Sequence, residues 1–361
     1  MNVLILSGQF GLGHEMAARA IGEEVSRLNK NAEVQEVDLF SYFFPRLSRF
    51  VFWLFQMMVK HFCGMYNFVY KMSGRMEVDV KPIGFLIYRK LERLMEEYKP
   101  DMIVCTHPVC AKSIASYIKK TGSSVALVTC ITDISMHPEW VTPQTTAYLV
   151  PTREVRESLI EKGIRADKVF VTGIPVRQQF EMVKSADRDS YPHRILIMGG
   201  GLGIIPNLPE LISMLHNLPG VTATIVAGKN HKLYDEWVGR YEDIHVLGYT
   251  ESISKLMSES DLVISKVGGI TLFELIHCRV PLFVIHPFLE QEVNNARYAE
   301  EKGIAKVIWN NSEDFIPILR NFLLDGHEWY DLKENMKYIK DEILDMNLAD
   351  AMKIVMERES A

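Results

Sequence analysis

The sequence lacks most of what would put it across a membrane, outside the cell or on nucleic acid. Its 361 residues contain no apolar run approaching the ~20 needed to span a bilayer. No basic stretch precedes an apolar one at the N-terminus, where Val3–Leu6 reads instead as a strand, so no signal peptide is expected. Cysteine is scarce. The five are Cys63, Cys105, Cys110, Cys130 and Cys278, and an odd set without framework spacing fits a reducing cytosol rather than a disulfide scaffold. Positive charge is not in excess: 40 Lys and Arg against 46 Asp and Glu give a net −6, so bulk attraction to nucleic acid is not indicated. There is no internal repeat and no low-complexity segment. What remains is ordinary globular composition, 48% hydrophobic and 24% charged, with length for two domains each holding a core.

What is present is a series of short apolar runs that feed glycine turns. The fullest unit is Asp261–Asn295. Leu262–Ser265 reads as a buried parallel strand, Gly268 and Gly269 as a break, and Thr271–Cys278 as a helix with Leu272, Leu275 and Ile276 on one side. A turn opening a helix aims backbone N–H groups and about half a positive charge at its occupant, and a diphosphate is the usual one. Glu274, one turn in, can accept from ribose hydroxyls. The strand Pro281–Ile285 is followed by Glu290, Gln291, Glu292, Asn294 and Asn295, a polar set suited to sugar hydroxyls. The plainer alternative is a β-α-β unit with a polar loop.

Earlier in the chain, Val3–Ser7 runs into G-Q-F-G-L-G-H and a helix carrying Ala17, Ala18, Ala20, Ile21 and Val25. The glycine spacing is not the dinucleotide one, and no acidic residue ends a well-defined second strand, Asp38 being the nearest candidate. The informative residue is His14. At a helix N-terminus an imidazole tends to stay neutral and able to act as a base. Val125–Thr129 delivers Asp133 and His137 at a strand's carboxyl end, where open α/β sheets bind ligands, and Trp140 follows. Asp133 can orient His14 or the acceptor hydroxyl. The alternatives are a capping His and an Asx-turn Asp. Cys105, His107 and Cys110 match no standard zinc spacing, so no metal is expected there.

Residues 41–76 are basic and aromatic, with no acidic residue before Glu77. Arg46, Arg49 and Lys60 flank Phe52, Trp53 and Phe55, which fits an interfacial element on an anionic leaflet; a helical hairpin packed on its own domain is the alternative. A polar connector, residues 184–193, marks the boundary between residues 1–185 and 186–361, and its Asp187-Arg188-Asp189 reads as solvated charge. In the second half, Gly199–Gly203, with Gly201 at its centre, lets backbone approach a phosphate. Gly228-Lys229-Asn230 follows the strand Thr222–Ala227, and Tyr249, after Ile244–Leu247, can flank a base. Ser312–Leu324 and His327–Arg358 read as the closing helices.

Taken together, G-L-G-H with A-A-R-A-I, T-D-x-x-x-H-x-x-W, G-I-P-V, and G-G-x-T-x-x-E with Q-E-x-x-N-A resemble one family, that of processive diacylglycerol glucosyltransferases and monogalactosyldiacylglycerol synthases, related to the murein transferase MurG. Val267 stands where that family usually has Pro, and Glu290 where it usually has Gly. The resemblance implies a GT-B fold, with two Rossmann-like doubly wound α/β domains facing across a cleft, and a last helix that can return to the first. The N-terminal domain would bind acceptor and membrane, using Arg46, Arg49, Phe52, Trp53, Phe55, Lys60, His137 and Trp140. The C-terminal domain would bind a UDP-sugar, with Gly201, Lys229, Tyr249, Gly268, Gly269, Thr271, Glu274, Gln291, Glu292 and Asn295 on the donor, together with Gly13 of the first domain. His14 would be the base, with Asp133 as orienter or alternative base. The implied reaction is inverting transfer of a hexose to diacylglycerol or a glycosyl-diacylglycerol, without a metal or other cofactor, by a cytoplasmic protein peripheral to an anionic membrane. An isoprenoid-linked murein precursor is the alternative acceptor, and a non-catalytic UDP-sugar sensor or a nucleotide-sugar epimerase the alternative activity.

Overall fold

The computed structural model describes residues 1–8, 12–61, 81–183, 193–200, 203–310 and 314–360. Contacts divide the chain into two compact units: residues 1–178 with 289–291 and 343–361, and residues 179–288 with 292–342.

The first unit is built on six parallel strands, β1 (Asn2–Ser7), β2 (Glu33–Asp38), β3 (Met102–Cys105), β4 (Ala126–Cys130), β5 (Ala147–Val150) and β6 (Val169–Val171), in the order β2-β1-β3-β4-β5-β6. Alternate side chains leave opposite faces of a strand. Val3, Ile5, Val104 and Val128 therefore meet Ala18, Ile21 and Val25 of the helix Leu12–Leu28 and Leu348, Ala351, Met352 and Val355 of the helix Leu348–Ser360. Leu4, Leu6, Ile103 and Leu127 meet Leu39, Phe43, Leu91, Leu94 and Ile114 on the other face. Both faces are covered, which is why these strands read as unbroken apolar runs.

The second unit has β7 (Arg194–Met198), β8 (Thr222–Val226), β9 (Ile244–Leu247), β10 (Leu262–Ser265), β11 (Leu282–Ile285) and β12 (Ala305–Ile308), parallel and ordered β12-β11-β10-β7-β8-β9. Counted within the unit this is 6-5-4-1-2-3, the dinucleotide-fold winding. Ile195, Ile197, Ile225 and Ile264 pack on Leu211, Ile212 and Leu215 of the helix Leu208–His216 and on Phe315, Leu319 and Phe322 of the helix Phe315–Asp325. Strand order reverses between β1 and β3 in one sheet and between β7 and β10 in the other, and ligands of such sheets bind outside the carboxyl ends at those reversals.

Three readings of the sequence need correction. Glu33–Asp38 is a regular strand ending in an acidic residue, but it is an edge strand, and its polar residues conceal it. Asp38 itself caps the next short helix, accepting from Ser41 N at 2.6 Å. The helix expected over His327–Arg358 is two, His327–Ile343 and Leu348–Ser360. The break is held by Asp345 and Met346 N–H groups on Val171 O, by Arg153 on Asp345 at 2.8 Å, and by Asn347 accepting from Asp350 N. The helix expected from Ser312 is described from Phe315, after its cap Asp314. Asp187–Asp189 lies outside the described residues.

Candidate active site

In the first unit the carboxyl ends of β1, β3 and β4 gather around one imidazole. His14 sits in the first turn of Leu12–Leu28. Its Nδ1 lies 2.7 Å from Thr106 O and 2.8 Å from Thr132 Oγ1, while Thr106 Oγ1 donates back to His14 O at 3.0 Å. A carbonyl oxygen only accepts, so Nδ1 carries the ring proton and Nε2 is left with its lone pair. Burial outweighs the opposing influence of the Asp133 charge and the Thr106 carbonyl, and holds the His14 pKa below the ordinary imidazole value. The result is an oriented, uncharged imidazole with a lone pair on Nε2.

Asp133 is fixed by other partners. Trp140 Nε1 donates to its Oδ2 at 3.0 Å, and Gln291 Nε2, grouped with this unit, donates to Oδ1 at 3.0 Å. Trp140 is fully buried and belongs to the core formed by Ile131, Tyr148 and Val150. His137 Nδ1 lies 3.5 Å from Glu139 Oε2 in the adjoining turn.

In the second unit the corresponding positions are backbone. Gly200 has φ +67° and Gly203 φ +59°. A Cβ on Gly203 would lie 2.1 Å from Ala227 O, so β8's loop closes against this turn, and Asn230 Nδ2 donates to Gly203 O at 3.1 Å. Ser265 Oγ donates to Met198 O at 3.1 Å, tying β10 to β7 at the reversal. Gly268 is the N-cap of the ten-residue helix Gly269–Cys278, which presents its free N–H groups there. Glu274 is buried at 8% exposure one turn in. Asn295 Nδ2 donates to Val267 O at 2.9 Å and clamps the turn. Beside it lies a pocket of about 250 Å³ whose walls include Ile197, Ile204, Ile264, Lys266, His286 and Phe288. His286 holds φ +47°, and its buried Nε2 meets no hydrogen-bond partner among the described residues. Lys266 Nζ stands 4.5 Å over the Phe288 ring and 3.9 Å from Glu292 Oε1.

Residues 14–176 match the family model for monogalactosyldiacylglycerol (MGDG) synthase, and residues 195–340 the model for the glycosyltransferase family 28 C-terminal domain. The processive diacylglycerol beta-glucosyltransferase of Bacillus cereus (strain AH820) is 30% identical over 368 residues, covering 96% of this chain and 93% of its own. The chain belongs to the processive diacylglycerol β-glucosyltransferase family. Another member, from Staphylococcus carnosus (strain TM300), is 27% identical over 354 residues, covering 94% of this chain and 88% of its own. Acinetobacter baumannii MurG shares the fold, with a TM-score of 0.63 at 16% identity over 99% of each chain. As a member of that glucosyltransferase family with GT-B architecture, the chain is a hexosyltransferase.

Within this glucosyltransferase family member, His14, Thr106, Thr132 and Asp133 form one cluster, and Gly268, Gly269, Thr271, Glu274 and Asn295 lie along another turn and helix. Gly13 precedes His14 in the helix, Lys229 is exposed after β8, and Tyr249 is 66% exposed after β9. Some expectations change. The hydrogen bonds that orient His14 come from Thr106 and Thr132 rather than from Asp133. Trp140 is a fully buried core residue whose Nε1 holds Asp133. Phe52 is buried against Phe40, ring centroids 5.6 Å apart, whereas Phe50, Trp53 and Leu54 on the helix Ser48–His61 and Leu47 just before it are about half exposed. Arg46 is exposed beside them. Gly201 and the side chains of Arg49, Phe55 and Lys60 lie outside the described residues. Sequence reasoning missed Thr106, Thr132 and His286. The available signal was position, since each stands at or just beyond the carboxyl end of a strand.

Proposed function

We propose that this enzyme transfers a hexosyl group from a UDP-sugar to the hydroxyl of diacylglycerol or a glycosyl-diacylglycerol, with inversion, at the cytoplasmic face of a membrane. The observation that carries the reading is His14, whose Nδ1–H is fixed by Thr106 O and whose Nε2 is bare and uncharged. In the proposed step Nε2 takes the acceptor's proton as its oxygen bonds to the anomeric carbon. The bond from that carbon to the diphosphate breaks, and UDP leaves. The amides of the Gly268–Gly269 turn and the helix that follows compensate the charge on the leaving diphosphate. Glu274 accepts from the ribose, and the proposal asks for no metal ion.

The relatives named for diacylglycerol support the acceptor. The membrane role rests on Phe50, Trp53 and Leu54, an apolar strip on the helix Ser48–His61, which has no acidic residue, continued by Leu47 beside Arg46 just before it. No helix among the described residues is long and apolar enough to cross a membrane, so association would be peripheral. The test is transfer of radiolabel from UDP-glucose, UDP-galactose and UDP-GlcNAc, assayed separately, to anionic vesicles containing diacylglycerol. A chloroform-soluble product from one donor is expected. No product with any donor, from protein that still binds UDP, overturns the acceptor assignment and directs the assay to a murein precursor.

A further inference from the structure

His107 stands one residue beyond the carbonyl that holds His14. The two ring centroids are 4.7 Å apart, edge to face at 72°. His107 caps the helix Pro108–Thr121, its Nδ1 accepting from Val109 N at 3.3 Å, so its ring proton belongs on Nε2. His14 is the opposite tautomer, with Nδ1 protonated and Nε2 bare. Each ring is tied to backbone, His107 through its cap and His14 through Thr106. Two imidazoles this close in a partly buried site do not both take a proton.

We propose that His107 is a positioning residue for the transfer reaction: it packs against His14, keeps water off that ring and holds it in the uncharged form that can accept the hydroxyl proton. The proposal rests on His14 being the base. Among the described residues, the groups acting on His14 can be sorted by direction. The Asp133 charge, from beyond β4, and the Thr106 carbonyl favour its protonation, and burial opposes it. Thr132 is uncharged, and on the same helix Glu15 is paired with Arg19 at 2.6 Å. Burial is therefore what keeps His14 neutral, and His107 supplies a wall of it. Burial and the neighbouring His14 push the His107 pKa well below the ordinary value, so the wall is itself uncharged.

The test uses the full chain with diacylglycerol vesicles and compares His107→Asn with His107→Phe. Asn keeps an acceptor for the Val109 N–H but removes the ring, whereas Phe keeps the ring but not the acceptor. Two readings are taken: the pH profile of kcat/KM, and the titration of His14 by NMR with labelled imidazole. In His107→Asn the acid limb and the His14 titration should rise together by roughly half a unit or more. Turnover near pH 6 should fall about 3- to 10-fold and recover above pH 8, with donor KM unchanged. In His107→Phe the limb should stay in place. An unmoved His14 titration in His107→Asn overturns the positioning role alone, whether turnover is normal or lowered equally at all pH. A His14 titration that moves without the acid limb means that His14 is not the base, and both readings then fall.

Discussion

The two sheets solve the same placement problem with different materials. Each is parallel and doubly wound, and each reverses strand order once, between β1 and β3 or between β7 and β10. At the first reversal the carboxyl ends carry titratable and polar side chains: His14, Thr106 and His107, with Thr132 and Asp133 from the next strand, β4. At the second they carry glycine turns, a helix N-terminus and two side chains, Ser265 and Asn295, that hold backbone carbonyls. Proton transfer needs a group of tuned pKa, which only a side chain supplies. A diphosphate needs many donors close together, which backbone supplies where no Cβ intervenes. On the proposed function, chemistry and grip are divided between two copies of one architecture.

The sharpest break of that contrast is His14→Ala. Turnover should fall on the order of 10³-fold while UDP affinity stays near normal, measured by single-turnover transfer and by calorimetry. Near-normal turnover would return the first sheet to a binding role. Next is Gly203→Ala. Its φ of +59° and the contact of 2.1 Å that a Cβ would make with Ala227 O predict a loss of roughly 2 kcal/mol or more in urea unfolding, with weakened donor binding. Unchanged stability would mean that the turn needs no glycine. Glu274→Gln should raise donor KM about tenfold and leave kcat within a factor of about three. A fall in kcat alone would move Glu274 from grip to chemistry. The smallest effect is expected from Trp140→Phe, which keeps core bulk but deletes the N–H on Asp133. About a fivefold loss of kcat/KM is expected. The pH profile sharpens all four. On the proposed function His14 works uncharged, and its pKa is lowered, so activity should persist as pH falls below the ordinary imidazole value and fail only at greater acidity. A limb at or above that value would mean that another group titrates.

The sheets were legible because strands buried on both faces must be apolar throughout, as in Val3–Leu6 and Leu262–Ile264. His14 and the Gly268–Glu274 turn were legible because a strand, a turn and a helix N-terminus are adjacent in the chain. What is settled by distant partners was not legible. β2 is polar because it lies at an edge. The stop at Ile343 depends on Val171, the orientation of His14 on Thr106 and Thr132, and the burial of Trp140 on Tyr148 and Val150. Phe50 and Phe52 differ by two places in an aromatic run, and only the packing of Phe40 decides which faces inward.

The helix Leu348–Ser360 closes one face of the first sheet, on Val3, Ile5, Val104 and Val128. On the ribosome those strands emerge long before their cover does. Until residue 355 or so has left the exit tunnel, the nascent first unit carries an apolar face that only the helix Leu12–Leu28 covers through the whole synthesis of the second. Order of synthesis and order of completion are therefore reversed: the unit begun first is finished last, and an interrupted chain would be left with a sticky sheet rather than an intact domain.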